Sequence, residues 1–477
     1  MKLTLTSFLF WIFMLSNSTM SAQLNGVENN DVIVDDVIIF EEFLALVKTQ
    51  HPLAKQAELK ISEGEANLLK ARGGFDPKIE VDYDRKKFKG TEYYDRLNAT
   101  FKIPTWYGVE LKANFEENTG IFLDPSQTVP EDGLYSAGVS FSLVQGFLIN
   151  QRMADLKKAR YYIEQTVAER NIIINDILFR ASNAYFDWAE TANEAAIFSS
   201  FLINAQTRLD AIERSVEVGD KASIDITEAN IILQTRKLDL EVALLKKHKA
   251  RLLVSTYLWL DGVPVEIAEN IEPKMPSPEI LKEVLDLNEN IEIDFVPDNH
   301  PKLLNLEAKI NNLQVDRNLK LNKLLPKVDL QYNFLSQDYD QFNTFKTANY
   351  KAFLNISVPL FLRKERGDLQ LTKLKLQDVN FEKDATQIEL INKVQAIKLE
   401  INSLERQLLL VENIVSDYEK LLMAEQRIFY LGESSLFLLN SREQKLIDAQ
   451  LKQNSIFTKN LNAFANLYKA LGNTSNL

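Results

Sequence analysis

Side chains that could bind metals or act as nucleophiles are scarce in this sequence. It contains no Cys and three His, at His51, His248 and His300. Disulfides and thiolate metal sites are therefore excluded, and a cluster of imidazole ligands is not expected. The sequence also lacks a Gly-rich phosphate loop, an HExxH zinc signature and a G-x-S-x-G elbow. We therefore expect neither an enzyme nor a bound cofactor.

The charge of the chain is acidic, with 67 Asp and Glu against 55 Lys and Arg and a net charge of -12. A nucleic-acid-binding protein needs a basic face to neutralise phosphates, so this balance argues against that class. Paired carboxylates occur on stretches that are also rich in Lys, where solvated charge is the default interpretation. The positions of helix breakers and of alternating apolar residues carry more information.

The first 22 residues have the layout of a secretory signal peptide. Lys2 precedes an apolar run from Phe8 to Leu15, and small polar residues end at Ala22. After this segment the sequence holds no apolar stretch of about 18 residues, so no spanning helix is expected. We predict an exported protein in which any passage through a membrane uses β-strands.

Two long regions, 131–263 and 360–477, contain no Pro. Because Pro costs about 3 kcal/mol inside a helix and apolar residues recur here at steps of three and four, both regions are predicted to be helical. The predicted helices span 148–217, 223–260, 366–430 and 435–471. Each antiparallel pair turns at a Gly, the first at Val218, Gly219 and Asp220 and the second at Leu431, Gly432 and Glu433.

The sequence is internally duplicated. His51-Pro52 matches His300-Pro301 at an offset of 249, and Gly219 matches Gly432 at an offset of 213. Pro52 and Pro301 are predicted to begin helices, because a Pro at the first helical position loses no hydrogen bond. We predict a first repeat over 23–261, a Pro-rich connector over 262–299 with short helices at most, and a second repeat over 300–477.

Apolar and polar residues alternate over about 78–143 and again over 327–358. This pattern fits membrane-barrel strands, with one face toward lipid and the other toward water, but also a half-buried soluble sheet. The signal peptide and aromatic clusters near strand ends favour the barrel; these aromatic residues are Tyr93, Tyr94, Trp106, Tyr107, Phe147, Phe342, Phe345 and Phe361. Four or six strands cannot close a barrel alone, so closure is predicted to require oligomerisation.

With this architecture the chain resembles the TolC family of outer-membrane efflux proteins. The resemblance covers nearly the whole chain after the signal peptide. It rests on the duplication, on the two Gly turns, and on the strand-to-helix passages Leu143-Val144-Gln145-Gly146 and Val358-Pro359-Leu360-Phe361. It implies a fold that is mostly α-helical: long coiled-coil helices form a periplasmic tunnel, and strands form a trimeric β-barrel in outer-membrane lipid.

The resemblance also implies a function and partners. The chain would be the passive outer-membrane exit duct of a tripartite efflux or type I secretion system, acting with a periplasmic adaptor and an inner-membrane pump. The two Gly turns would contact the adaptor. The alternative function is a non-transport, structural coiled-coil protein of the periplasm or cell surface.

Two features depart from the family pattern. The first repeat shows four strand patterns where the family has two, so twelve and eighteen strands both remain open for the trimer. Leu438 and Ser441 stand where the family's archetype has entrance aspartates, whereas Asp225 resembles a family aspartate in the first repeat. Asp225, Leu438 and Ser441 are therefore the candidate gate residues. The alternative to a gate role for Asp225 is a structural one, in which its negative charge is favourable in the first turn of a helix capped by Ser223.

Overall fold

The structure, a computed structural model, describes residues 37–287, 295–338 and 347–472. The predicted signal peptide at 1–22 and the aromatic residues Phe342 and Phe345 lie outside these ranges. The helices of the first repeat are α1 (Phe40–Gln50), α2 (Pro52–Arg72), α3 (Gln151–Glu217) and α4 (Ser223–Ser255). Short α5 (Pro278–Val284) follows in the connector; the second repeat has α6 (Pro301–Asn322), α7 (Arg363–Tyr430) and α8 (Leu436–Leu471).

Six long strands form one antiparallel sheet. They are β1 (Lys78–Phe88), β2 (Thr91–Pro104), β3 (Val109–Thr119), β4 (Leu134–Ser142), β5 (Lys327–Ser336) and β6 (Tyr350–Ser357). Their order in the sheet is β6-β5-β4-β3-β2-β1, so the two repeats meet where β4 pairs with β5. The fold class predicted from the sequence is confirmed: a mostly helical chain carries a curled sheet that forms part of a barrel.

The four helices that lead into or out of the sheet, α2, α3, α6 and α7, all meet it at one end. The turn between β2 and β3 lies at this end, where the Asn150 side chain caps α3 and also donates a hydrogen bond to the Trp106 carbonyl at 2.9 Å. The connection between β3 and β4 lies at the opposite end. Long helices α3 and α7, with 67 and 68 residues, extend about 100 Å away from the sheet. Among the described residues, no helix is long and apolar enough to cross a bilayer.

Helix α4 is shorter than predicted. It ends at Ser255 rather than at residue 260, because Trp259 and Leu260 pair with Val263 and Pro264 in a tight hairpin. Asp261 and Gly262 at its turn both adopt positive φ, which no helix can accommodate. The sequence pattern missed this hairpin because its apolar residues continue the helical spacing.

An aromatic core lies where the two helical pairs meet the connector. Phe40, Phe43, Tyr185, Phe186 and Trp188 are at most 1% exposed. The Tyr185 hydroxyl lies 2.7 Å from the Ile38 carbonyl and 2.8 Å from the Lys274 carbonyl. These contacts fix both the segment before α1 and the connector to the middle of α3.

His51 and His300 cap equivalent helices. Each Nδ1 accepts a hydrogen bond from the backbone N–H two residues later, at 3.2 Å from Leu53 and 3.1 Å from Lys302. Pro52 and Pro301 occupy the first helical positions, as predicted. Burial lowers the pKa of His300 to about 4, and the charges of Lys302 and Lys393 act in the same direction. The cap therefore depends on a neutral imidazole.

We expect the chain to lose stability below pH 6.5 partly through His300. The unfolded chain binds a proton near pH 6.5 and the folded chain near pH 4, so stability falls as pH falls through this window, by about 2 kcal/mol at pH 5 at most. Asn caps a helix without titrating. The drop in melting temperature from pH 7 to pH 5 should therefore be smaller in His300→Asn than in wild type.

Exposed His248, which caps no helix, provides the control. The variant His248→Asn should keep the wild-type drop, measured by circular dichroism in detergent. An unchanged drop in His300→Asn would contradict the capping role.

Candidate channel entrance

The two Gly turns have the same hydrogen-bonded structure. After α3, the N–H of Gly219 donates to the Val216 carbonyl at 3.0 Å, and that of Asp220 donates to the Ser215 carbonyl at 2.8 Å. After α7, Gly432 and Glu433 repeat both bonds to Phe429 and Ile428, each at 3.1 Å. This is the Schellman motif, which requires positive φ at its Gly, here +85° and +78°. The predicted turns are therefore equivalent in structure as well as in sequence.

The two turns lie beside each other at the free end of the helices, which we call the tip. The Lys221 ammonium lies 4.3 Å from the centre of the Phe429 ring and joins the first turn to the second. Val218 and Leu431 are 73% and 68% exposed, and Asp220 and Glu433 are exposed beside them. Large apolar side chains surround them with little cover from this chain: Ile224, Tyr430 and Phe437.

The three candidate gate residues lie at the start of α4 and α8, close to the tip. Asp225 is half-buried in the first turn of α4, whereas Leu438 and Ser441 in α8 are exposed. The residue that caps α4 is Ala222, without a side-chain bond, so the predicted Ser223 cap is wrong. Ser435, the counterpart of Ala222, does cap α8 through its side chain and the Leu438 N–H.

A buried charged cluster lies above the tip, between α3, α4 and α8. Glu443 has no exposed side-chain surface, and the side chains of Arg208 and Arg236 are 8% and 3% exposed. Arg208 and Glu443 are each eleven residues from their turn glycine, which places them about 16 Å from the tip. The cluster links the first helical pair to the second.

The contacts of this cluster involve all three helices. Arg208 forms a short ion pair with Oε2 of Glu443 and donates to Oδ1 of Asn440 at 2.7 Å. Arg236 lies 3.5 Å from Oε1 of Glu443 and donates to Gln444 at 2.8 Å. Asn440, close to the tip in sequence, is therefore buried in the helix packing.

Sequence reasoning missed this cluster, although a signal was present. Glu443 falls on the apolar stripe of α8 between Leu439 and Leu446, and Arg208 falls between Ala205 and Ile212 on the stripe of α3. A charge on a buried stripe needs a partner of opposite charge. Two such interruptions at matched distances from two turns would have indicated that the residues meet.

This geometry is similar to that of known outer-membrane proteins. The sequence profile described as "Outer membrane efflux protein" matches residues 296–473, from the end of the connector through the second repeat. The resemblance to the TolC family is confirmed. A search of curated proteins finds no match.

Several solved structures of outer-membrane proteins share this fold. The Campylobacter jejuni CmeC channel is similar over 90% of this chain and 85% of its own, with 14% identity and a TM-score of 0.62. VceC from Vibrio cholerae is similar over 90% of this chain and 95% of its own, with 12% identity and a TM-score of 0.63. The open state of MtrE from Neisseria gonorrhoeae is similar over 91% of this chain and 88% of its own, with 13% identity and a TM-score of 0.62.

The profile match and the fold together locate the protein in the outer membrane, with its helices in the periplasm. They also support a role as an efflux duct. The CmeC and MtrE structures are described as outer-membrane channels. The turn between β2 and β3, at the same end of the sheet as the helices, therefore lies on the periplasmic side, and the β3–β4 connection lies on the other side of the membrane.

We expect Glu443→Ala to loosen the helices near the tip. The substitution leaves Arg208 and Arg236 buried without their counter-charge, which costs about 3–5 kcal/mol for comparable buried pairs. Amide hydrogen exchange over 436–447 should become faster. The variant Glu433→Ala removes an exposed carboxylate at the tip and should leave exchange unchanged; equal exchange in both variants would count against the role of the cluster.

Proposed function

We propose that this chain is the outer-membrane component of a tripartite efflux or type I secretion system, a homotrimeric passive duct that receives cargo from an inner-membrane pump. The observation that carries the proposal is the pair of identical Schellman turns at the tip, at the far end of helices about 100 Å long. In this assembly the turns are the points where the duct meets its periplasmic adaptor.

The chemistry of the tip supports an adaptor contact. Val218 and Leu431 are exposed apolar side chains at equivalent positions of the two turns, and each has an exposed carboxylate two residues later, at Asp220 and Glu433. Exposed apolar side chains rimmed by charge are typical of protein interfaces. Three copies of the duplicated chain would present six similar turns, so one adaptor surface could be used six times.

The exposed faces of the helices support a trimer. On α4 five large apolar side chains recur every seven residues and are 48–67% exposed in the single chain: Ile224, Ile231, Leu238, Leu245 and Leu252. A strict seven-residue repeat is the pattern of a coiled-coil seam. On α7 the apolar residues Ile414, Leu421 and Ile428 show the same spacing and are 37–47% exposed. In the proposed trimer these two stripes pack against neighbouring copies.

Replacement of a turn glycine tests the proposed function. Gly219→Pro or Gly432→Pro removes both the positive φ and a hydrogen bond of the Schellman motif, so we expect export to be lost while outer-membrane insertion persists. Export is measured as drug accumulation or cargo secretion in cells that carry the cognate pump.

Gly90 provides a matched control for these variants. It also adopts positive φ, +79°, and has open space around it, but it lies in the β1–β2 hairpin at the extracellular end. Gly90→Pro should therefore retain export. Normal export by the two tip variants would remove the turns from the mechanism.

We expect the entrance to be weakly cation-selective and weakly blocked by trivalent cations. Leu438 and Ser441 carry no charge, and a ring of like carboxylates is what would attract cations strongly. In planar bilayers, wild type and Asp225→Asn should therefore conduct alike, with or without a trivalent cation. Strong block of the wild type that disappears in Asp225→Asn would instead make Asp225 the gate residue.

A further inference from the structure

The six-stranded sheet ends in two strands, β1 and β6, whose outer edges pair with no other described strand of the chain. In a bilayer, an unpaired row of backbone N–H and C=O groups is not tolerated. A partner must therefore cover both edges, and which strands it covers determines the size of the barrel.

The β1–β2 hairpin has the same two-faced character as the rest of the sheet. Ile79, Val81 and Tyr83 on β1 lie opposite Phe101, Ala99 and Leu97 on β2. Those residues continue the apolar face of β3, where Ala99 pairs with Phe115 and Phe101 with Ala113. The side chains of Ile79, Val81 and Tyr83 are 59–75% exposed in the single chain. A loop in water would not need this apolar face.

The other face of the hairpin is charged and internally paired. Glu80 binds Lys102, and Asp84 binds Arg96, each across the β1–β2 pair. The same face of β3 and β5 is polar, with Lys112 donating to Gln331 at 3.2 Å. Water therefore lies on one side of all six strands and an apolar medium on the other, so the hairpin is part of the barrel wall.

We propose that three copies of this chain close an eighteen-stranded barrel, in which β1 of each copy pairs with β6 of the next. This inference rests on the homotrimer of the proposed function. It adds that the β1–β2 hairpin of each copy forms part of the barrel wall. Without these hairpins the trimer would have the twelve strands of the family pattern.

The register of the sheet supports this closure. One row of paired residues runs straight across the sheet: Ile79, Phe101, Ala113, Ala137, Phe334 and Tyr350. On β1 this row begins the apolar face, which continues outward to Tyr83. On β6 the same row ends the face, which continues toward the periplasm to Ile356. The apolar band thus slants across the strands, as it must when strands are tilted in a membrane.

The slant has the size that closure needs. Within one copy, Lys78 on β1 shares a row of paired residues with Lys351 on β6. For β1 to pair along its length with β6 of the next copy, the register must shift by about six residues, which brings Lys78 opposite Ser357. Six residues over six strands is about one residue per strand. With a rise of about 3.3 Å and a spacing of about 4.8 Å, the strands tilt by about 35°, within the range of membrane barrels.

This register also gives a chemically matched seam. Ile79, Val81 and Tyr83 come opposite Ile356, Leu354 and Ala352 of the next copy, so the lipid-facing side stays apolar. On the water side, Asp84 comes opposite Lys351, whose side chain is 61% exposed in the single chain. A shift by one residue would place these charges against lipid.

An eighteen-stranded barrel is about one and a half times as wide as a twelve-stranded one, because barrel diameter grows roughly linearly with strand number. The outer-membrane segment would then be wide compared with the entrance at the tip. The chemical class of cargo that this permits is a folded or bulky solute rather than a small molecule alone.

Cysteine cross-linking tests the junction between β1 and β6 of neighbouring copies. Because the sequence contains no native Cys, any disulfide must form between the introduced residues. Glu80→Cys with Asn355→Cys places two thiols directly opposite across the proposed junction, so mild oxidation should yield covalent dimers and trimers on a non-reducing gel. The off-register pair Glu80→Cys with Lys351→Cys should yield none.

The twelve-stranded alternative has its own pair. If the hairpin left the wall, β3 would close against β6, and the same slant over four strands would bring Lys112 opposite Asn355. Cross-linking of Lys112→Cys with Asn355→Cys would therefore overturn the proposal, as would the absence of cross-links by the first pair in a folded trimer.

Export and native mass measured on the same variants separate the two proposals. A trimer that exports cargo but cross-links through the cysteine at position 112 would support the proposed function as a duct and contradict the eighteen-stranded barrel. Should the cysteine variants not fold, electron cryo-microscopy of the wild type decides directly: eighteen strands in the ring support the proposal and twelve overturn it.

Discussion

Backbone hydrogen bonding in lipid is the constraint on which the rest of this structure depends. A sheet that crosses a bilayer must satisfy every N–H and C=O group within itself, because no water is present to do so. Six strands leave two open edges, so the chain cannot be complete alone. The helices have a different requirement that leads to the same result: the exposed seven-residue apolar stripes on α4 and α7 are uncovered in the single chain and need burial away from water. Sheet and helices thus call for the same neighbour.

Much of the fold could be predicted from the sequence because it is repetitive. The absence of Pro over 131–263 and 360–477 is a strong restriction on backbone conformation, and the alternation around Val81 or Leu330 has a period that no helix shares. Because the chain is duplicated, the same sequence pattern occurs twice for an element. His51 with Pro52 and His300 with Pro301 therefore predicted equivalent helix starts. Both were confirmed, with equivalent hydrogen bonds.

What could not be predicted depends on contacts between distant segments. The end of α4 at Ser255 is set by a hairpin whose two-residue turn is Asp261-Gly262, with positive φ at both residues. Asp-Gly favours such a turn, but it does not show how far the helix before it extends. The partners of Glu443 come from residues more than 200 positions earlier in the chain, and periodicity alone does not pair one stripe with another. The strand number of the barrel sheet was also left open by the sequence, whereas the pairing of β1 with β2 and of β2 with β3 gives this sheet six strands among the described residues.

The buried cluster of Arg208, Arg236 and Glu443 has a consequence for how such chains diverge. Replacing any one of the three residues leaves a charge in the helix packing without its partner, whereas replacing all of them by apolar residues of similar size can be nearly neutral. Intermediate sequences are therefore less stable than either end point. Among relatives that share as little as 12–14% of their residues with this chain, we expect these three positions to change as a set. Covariation between α3, α4 and α8 would thus record a contact that no single position reveals.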